Sequence, residues 1–421
     1  MKTSTFGKCW RLVLRTMTAT QYRMFSVNNP WSRSRIIAGF VFTSAILLIV
    51  SFSVIDYNSW PRLAYASTSL KHTIPRTTRG YNRLQPLIDM FYNASKGKVL
   101  NEQRQISALG DKWPSVAHSM LNMSSLQEVD NKVSVLLLLI VTTAPSRFDR
   151  REAIRATWWK NCDGAEVMCK FFTDGLQLTK ELQKNLSAEQ KIHRDIEFMP
   201  FEETRIFGIR FLYQIMWAKA KYEFKFMLHM DDDYFLCLEK LKSELYHRPK
   251  KSLVWGSYHC SFKDIIYVDE AWIIFSSDVI EQFLSQDPQT ILCHPHSDQQ
   301  IAVWLSTLYG SKKSLIEFHD GRLHHYPPAR KLDKFNNLPQ VCDNFLGVHG
   351  SSPEMIKKFG RNSADRRRIL KLPKLTRITE TCHFPNVFNI SKVAGMYQFD
   401  LRPCITNPRW TPGEGMWRGT Q

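Results

Sequence analysis

The pattern of apolar and polar positions divides this chain into three stretches. Residues Ile36 to Ile55 carry no charge and are mostly apolar. A helix of that length, at about 1.5 Å per residue, reaches across a hydrocarbon layer roughly 30 Å thick. Residues 56 to about 130 are polar and interrupted by Pro61, Pro75 and Pro86, which reads as a stem carrying one or two helices. From Val133 onward, short apolar runs alternate with helical periodicity. Val133 to Val141 is rich in Val, Leu and Ile and predicts a strand buried on both faces, as in a parallel sheet. A helix follows over Asp149 to Trp159, then a strand over Lys170 to Thr173 and a helix over Thr179 to Ile192. A longer helix is expected over Glu203 to Tyr222, and a strand over Phe224 to Met230. Strand and helix in turn predict an α/β domain over residues 131–421.

Charge and composition sharpen the picture. Of 421 residues, 43% are hydrophobic and 23% charged, so most of the chain should fold. The formal charge of +18 favours anionic partners, whether nucleic acid, membrane or phosphate-bearing substrates. The stretch before Ile36 holds seven Lys or Arg and no Asp or Glu. By the positive-inside rule this predicts a cytoplasmic tail over 1–35, a signal-anchor over 36–55, a luminal stem over 56–130 and a luminal domain beyond it. A cleaved signal peptide is the competing reading, but the apolar run is long for one and lies far from the N-terminus. Sequons at Asn93, Asn122, Asn185 and Asn389 agree with a luminal body. So do eight cysteines beyond the span, with Cys162–Cys169 and Cys382–Cys404 as the local pairs expected. Nucleic acid is then excluded as a partner. The basic run around Arg366-Arg367-Arg368 reads as a solvated surface.

The candidate chemistry sits at the end of the last predicted strand. Asp231-Asp232-Asp233 follows an apolar run and precedes Tyr234-Phe235. In an α/β sheet, ligands bind outside the carboxyl ends of strands. Strand alternation turns Asp231 and Asp233 to one face and Asp232 to the other. The first and third can converge on a hard cation, Mn²⁺ or Mg²⁺, which would neutralise a leaving diphosphate. An acidic loop or helix start is the bland alternative.

These residues also carry a resemblance. Arg150-Arg151-Glu-Ala-Ile154-Arg155-Ala-Thr157-Trp158 resembles a signature of the β1,3-galactosyltransferase family, glycosyltransferase family 31. The strand ending in Asp231-Asp232-Asp233 and the stretch Val348-His349-Gly-Ser-Ser-Pro353-Glu354-Met355 are similar to later segments of that family, and the likeness runs from about 133 to 360. The resemblance implies a GT-A type nucleotide-sugar-binding fold (a Rossmann-like mixed sheet), a UDP-sugar donor, Mn²⁺, a glycan acceptor, inversion and a β1,3 linkage in the Golgi. It further implies donor contacts from Arg151, Arg155, Asp231 and Asp232, metal ligands Asp231, Asp233 and His319, and Asp298 as the general base. Asp298 has the alternative of a helix N-cap; His324, His325 and His349 compete with His319. Trp158 is expected in the core. The chain departs from the family in several places, among them Ser297 where an acid precedes the base and Ala302 where a Gly is usual. Arg210 stands where a Lys is usual, and the glycine-rich stretch is replaced by Asp269-Glu270-Ala271-Trp272-Ile273-Ile274-Phe275-Ser276. A bulky Trp272 there points to a reshaped acceptor site, or to a catalytically weak relative that serves as a glycan- or partner-binding scaffold. Galactose is the expected sugar, with N-acetylgalactosamine or N-acetylglucosamine as alternatives.

Overall fold

A computed structural model describes residues 83–93, 126, 128–202, 206–260, 266–294, 297–309, 315–325, 341–362, 372, 374–381, 401–408 and 410. The tail, the apolar span at 36–55, most of the stem, Asn122, Asn389, Cys382 and the basic run at 366–368 lie outside these residues. No helix among the described residues is long and apolar enough to cross a membrane.

The first element is a helix, α1, over 83–93. The body then runs β1 (Val133–Thr142), α2 (Phe148–Arg155), β2 (Val167–Asp174), α3 (Lys180–His193), β3 (Ile196–Met199), α4 (Phe207–Lys221) and β4 (Tyr222–Asp231). These four strands pair in parallel in the order β3-β2-β1-β4. The α/β reading holds, and its strands sit where the apolar runs place them. Helix α2 stops at Arg155, short of the expected Trp159. The Thr157 hydroxyl donates back to the carbonyls of Ala153 (2.8 Å) and Ile154 (3.1 Å), and Trp158–Asn161 forms a separate 3-10 turn. That turn buries Trp158, as expected, and stacks Trp159 on Phe171 with ring centroids 4.0 Å apart.

After β4 the pairing changes sense. β5 (Phe235–Leu236), α5 (Leu238–Leu245), β6 (Leu253–Cys260) and β7 (Ile266–Ser276) follow, with β7 antiparallel to both β4 and β6. Then come α6 (Ser277–Leu284), β8 (Leu292–Cys293), α7 (Ser297–Tyr309), β9 (Ile316–His319), β10 (Leu323–His325), α8 (Val341–Asn344), β11 (Gly347–His349), α9 (Pro353–Asn362), β12 (Thr376–Arg377), α10 (Ile378–Thr381) and β13 (Arg402–Pro403). The main sheet has eight strands in the order β12-β9-β6-β7-β4-β1-β2-β3. A smaller sheet, β10-β11-β5, lies after the acidic triplet.

Two apolar layers cover the main sheet. On one face α4, α6 and α7 pack through Phe211, Ile215, Phe283 and Trp304 against Leu138, Ile140, Ile273 and Phe275. On the other, Ala153 and Ile154 of α2 and Leu241 of α5 pack with Leu139, Leu228, Met230 and Trp255. The first layer also takes in α1. Leu84, Leu87, Ile88 and Phe91 are buried, and Phe91 meets Phe201 and Tyr213 edge-on at 5.6 and 5.3 Å. The folded body thus draws on chain that reads as stem.

Disulfides tie the periphery. Cys162–Cys169 forms as expected. The expected Cys382–Cys404 pair does not, because Cys404 is bonded to Cys293, where β13 pairs with β8. Cys237–Cys342 joins the start of α5 to α8. Sequence proximity favoured the Cys382–Cys404 pair; strand pairing across the fold brings Cys293 to Cys404 instead. Asn93 and Asn185 are exposed, as glycan acceptors must be.

Candidate functional site

β1 is flanked by β2 and β4, so the crossover direction reverses at its carboxyl end, and a crevice opens there between β1 and β4. The acidic triplet lies at this point. Thr142 of β1 is the register partner of Asp231 of β4.

The three carboxylates differ in their partners. Asp231 and Asp233 converge with His349, each offering an atom within 4.8 Å of the others. Asp232 is not in this group; it accepts from the Thr143 hydroxyl (2.7 Å) and from Arg150 Nη1 (2.7 Å), which also lies 3.3 Å from Asp233 Oδ2. His349 reaches the cluster because β11 pairs antiparallel with β5, two residues past the triplet, and because the Ser351 amide donates to the Asp233 carbonyl at 2.8 Å. Its Nε2 lies 3.2 Å from Asp233 Oδ1, and its ring stacks on Tyr234.

Electrostatics follow from this crowding. Burial, then the neighbouring charge of Asp233, pushes the Asp231 carboxyl up to about 7. Burial raises Asp232 as well, against its bonds from Thr143 and Arg150. Burial works in the same sense on Asp233, but the hydrogen bonds and charges of His349 and Arg150 outweigh it and hold the carboxyl below its ordinary value. His349 rises in answer: burial opposes its charge, and Asp233 wins. Two carboxylates and an imidazole on one side of a crevice form an O, O, N donor set that suits Mn²⁺, with Mg²⁺ tolerated at the carboxylates. Beneath them, His229 is buried between the Thr142 hydroxyl (3.1 Å) and the Glu270 carbonyl (3.0 Å), and burial lowers its pKa to about 4. A neutral imidazole thus ties the carboxyl ends of β1 and β4 to the middle of β7.

The other expected site residues sit as follows. Arg151 is 1% exposed and forks onto Glu189 at 2.8 Å through both Nε and Nη2, while its Nη1 donates to Ala144 O. It meets the triplet only through Thr143, at 3.3 Å. Arg155 is committed to Asp195, Glu189 and Glu152. Among the described residues, the arginine that touches the triplet is Arg150. Spacing alone does not single it out, because Arg150 and the buried Ile154 are themselves four residues apart on α2 and so neighbours on its surface. His319 is outside the cluster, with its Nδ1 accepting from the Tyr258 amide at 3.0 Å. His324 packs beside Phe345 at 5.2 Å, and the side chain of His325 lies outside the described residues. Asp298 is the second residue of α7, and its side chain also lies outside them. Arg210 forks onto Asp174 at the carboxyl end of β2, both buried.

Trp272 enters the core. Its register partner is Met230, and the two share the face opposite Asp231. The indole is 1% exposed and meets Trp255 edge-on, with ring centroids 5.6 Å apart.

Comparison with known proteins adds the last observation. Residues 149–285 match the family described as Galactosyltransferase. A mouse lactosylceramide 1,3-N-acetyl-beta-D-glucosaminyltransferase is 34% identical over 116 residues, covering 25% of this chain and 31% of that protein. Mouse beta-1,3-galactosyltransferase 6 is 26% identical over 135 residues, covering 30% and 42%. The chain thus spans a third to two-fifths of the length of these relatives. Among solved structures, galactosyltransferase LgtC with donor and acceptor sugar analogs superposes on 56% of this chain and 98% of its own, with 8% identity and a TM-score of 0.30.

Proposed function

Because residues 149–285 make this chain a member of the galactosyltransferase family, we propose that it transfers a hexose from a UDP-sugar to a glycan acceptor, on a GT-A type fold and with inversion at the anomeric carbon. Galactose in a β1,3 linkage is the transfer proposed, with UDP-N-acetylglucosamine and UDP-N-acetylgalactosamine as alternative donors. The observation that carries this reading is the convergence of Asp231, Asp233 and His349 at the carboxyl end of the central strand pair.

Those three side chains would hold Mn²⁺ or Mg²⁺, which when bound offsets the charge growing on the departing UDP. Arg150 stands beside them and suits the diphosphate oxygens, since a guanidinium offers two parallel donors. Arg151 and Arg155 act one layer further in, through the Glu189 and Asp195 bonds that hold α2 against the crevice. Asp298 is proposed to take the proton of the acceptor hydroxyl as its oxygen bonds to the anomeric carbon and the bond to UDP breaks. The position of α7 supports this. Helix α4 leads directly into β4, so its first turn stands over the carboxyl end of that strand. Gly208 in that turn lies against Gln300, two residues after Asp298. The helix start therefore occupies the triplet's end of the sheet. The scaffold reading loses its main support, because Trp272 fills the core.

The apolar run at 36–55 is proposed to anchor the chain in the Golgi membrane with the domain on the luminal side. The test uses a secreted form from about residue 60, given Mn²⁺ and each UDP-sugar in turn, with and without a mixed glycan pool. Acceptor-dependent UDP release with one sugar supports the reading. A folded protein that binds UDP but releases none with any sugar refutes it and favours the scaffold.

A further inference from the structure

The triplet crowds three carboxylates together, yet one cation already stands among them. Arg150, from the first turn of α2, places Nη1 2.7 Å from Asp232 Oδ1 and 3.3 Å from Asp233 Oδ2. The other oxygen of Asp233 faces His349 Nε2 at 3.2 Å. Both oxygens of Asp233 are therefore engaged before any metal arrives. Unlike Arg151, which is sealed in the core, Arg150 keeps 20% of its side chain exposed. It can swing toward a ligand in the crevice.

We propose that Arg150 is a resident counter-cation that opposes a divalent metal at the triplet until a diphosphate arrives, so that metal and diphosphate bind cooperatively. This rests on the reading of Asp231, Asp233 and His349 as the metal ligands. The argument is one of charge and position. His349 can yield its place to a metal by shedding a proton, but a guanidinium stays charged at every pH a protein meets. A divalent ion on Asp233 Oδ1 must share that carboxylate with Arg150 on Oδ2. Two cations on one small anion repel, and in a partly buried crevice water screens them little. A diphosphate changes the balance. Its oxygens give the guanidinium a matching partner and give the metal further ligands in the same event. Each ligand then favours the other, by the same factor in both directions. Arg150 is in this sense a positioning residue. It does no chemistry, but it decides in what company the metal binds.

The experiment follows Mn²⁺ binding by the spin-resonance signal of the free ion, in the full chain and in Arg150→Gln, with and without saturating UDP. Wild type should hold Mn²⁺ weakly alone and about tenfold more tightly with UDP. R150Q should hold Mn²⁺ alone about tenfold more tightly than wild type, and the gain from UDP should be smaller than in wild type. A structural role for Arg150 would shift both numbers toward weaker binding. R150Q that binds Mn²⁺ alone no better than wild type overturns the inference and leaves the metal reading intact. If R150Q does not fold, Arg150→Lys replaces it; it keeps the charge and loses the fork. Mn²⁺ alone should then bind as in wild type while the gain from UDP shrinks, and an unchanged gain overturns the inference. Wild type that takes up no Mn²⁺, with or without UDP, overturns the metal reading and the inference together.

Discussion

Single side chains at the triplet differ in role because they differ in what they face. Asp233 is held ionised by His349 and Arg150, while Asp231 is pushed toward its neutral form. Asp233→Asn should therefore cost UDP release on the order of a hundredfold or more, with the melting temperature of the metal-free protein little changed. Activity within a few-fold of wild type would remove Asp233 from the metal site. His349→Ala should behave alike and His319→Ala should not; the same assay on both variants separates the two histidines. The pH dependence has a definite sign. Asp231 has a raised pKa, so its contribution to stability is complete below the unfolded value, about 3.9, and is lost as pH rises through about 7. The contribution of His349, also raised, is complete below about 6.5 and is lost as pH climbs through its higher folded value. The metal-free chain should thus be less stable at pH 8 than at pH 6. Metal uptake requires both protons to leave, so Mn²⁺ should raise the melting temperature more at pH 8. Thermal melts at both pH values, with and without Mn²⁺, check this, and a larger rise at pH 6 contradicts it.

Among the elements, the small sheet β10-β11-β5 does the bringing together. It carries His349 back to a strand two residues past Asp233, and Cys237–Cys342 staples its flank. Gly347 makes the close approach possible: a Cβ there would strike the Tyr234 ring and lie 3.1 Å from the Phe235 carbonyl. Gly347→Ala should cost about 1–3 kcal/mol and shift His349, read as a drop in both melting temperature and Mn²⁺ affinity. A variant with unchanged Mn²⁺ affinity would show that the approach is not needed. β7 makes the opposite point. There Trp272 fills a layer with Trp255. Its indole nitrogen has no partner among the described residues. Trp272→Phe should therefore stay within about 1 kcal/mol of wild type, while Trp272→Gly should cost at least about 3 kcal/mol by cavity formation. Chemical denaturation distinguishes the two.

The whole body is larger than its α/β pattern suggests. Helix α1, forty residues before β1, seals the layer over α4 through Phe91. Phe91→Ala should cost about 3–5 kcal/mol. A chain begun at residue 131 should melt lower by on the order of 10 °C than one begun near residue 75. Equal melting temperatures would return α1 to the stem.

Much of this could be read from residue order alone, and the reason is locality. The runs at 133–141 and 224–230 are strands because Val, Leu and Ile in succession suit a strand covered on both faces, and the covering helices are neighbours in sequence. The acidic triplet is legible for the same reason: a polar cluster directly after a buried strand lies where an α/β sheet binds ligands. The Cys162–Cys169 pair needs only a short loop. What escaped depends on contacts between distant segments. Strand β3, four residues long, is too short for its period to show. Choosing His349 over His319 required the pairing of β11 with β5, which no local pattern states. Choosing Arg150 over Arg151 required knowing which stripe of α2 meets Glu189 of α3. Choosing Cys293 for Cys404 required the pairing of β13 with β8. Local periodicity settles which residues form strands and helices, because side-chain direction repeats along each element. Only packing settles which side chains share a site, because their distance in space is set by pairing and register between elements far apart in the chain.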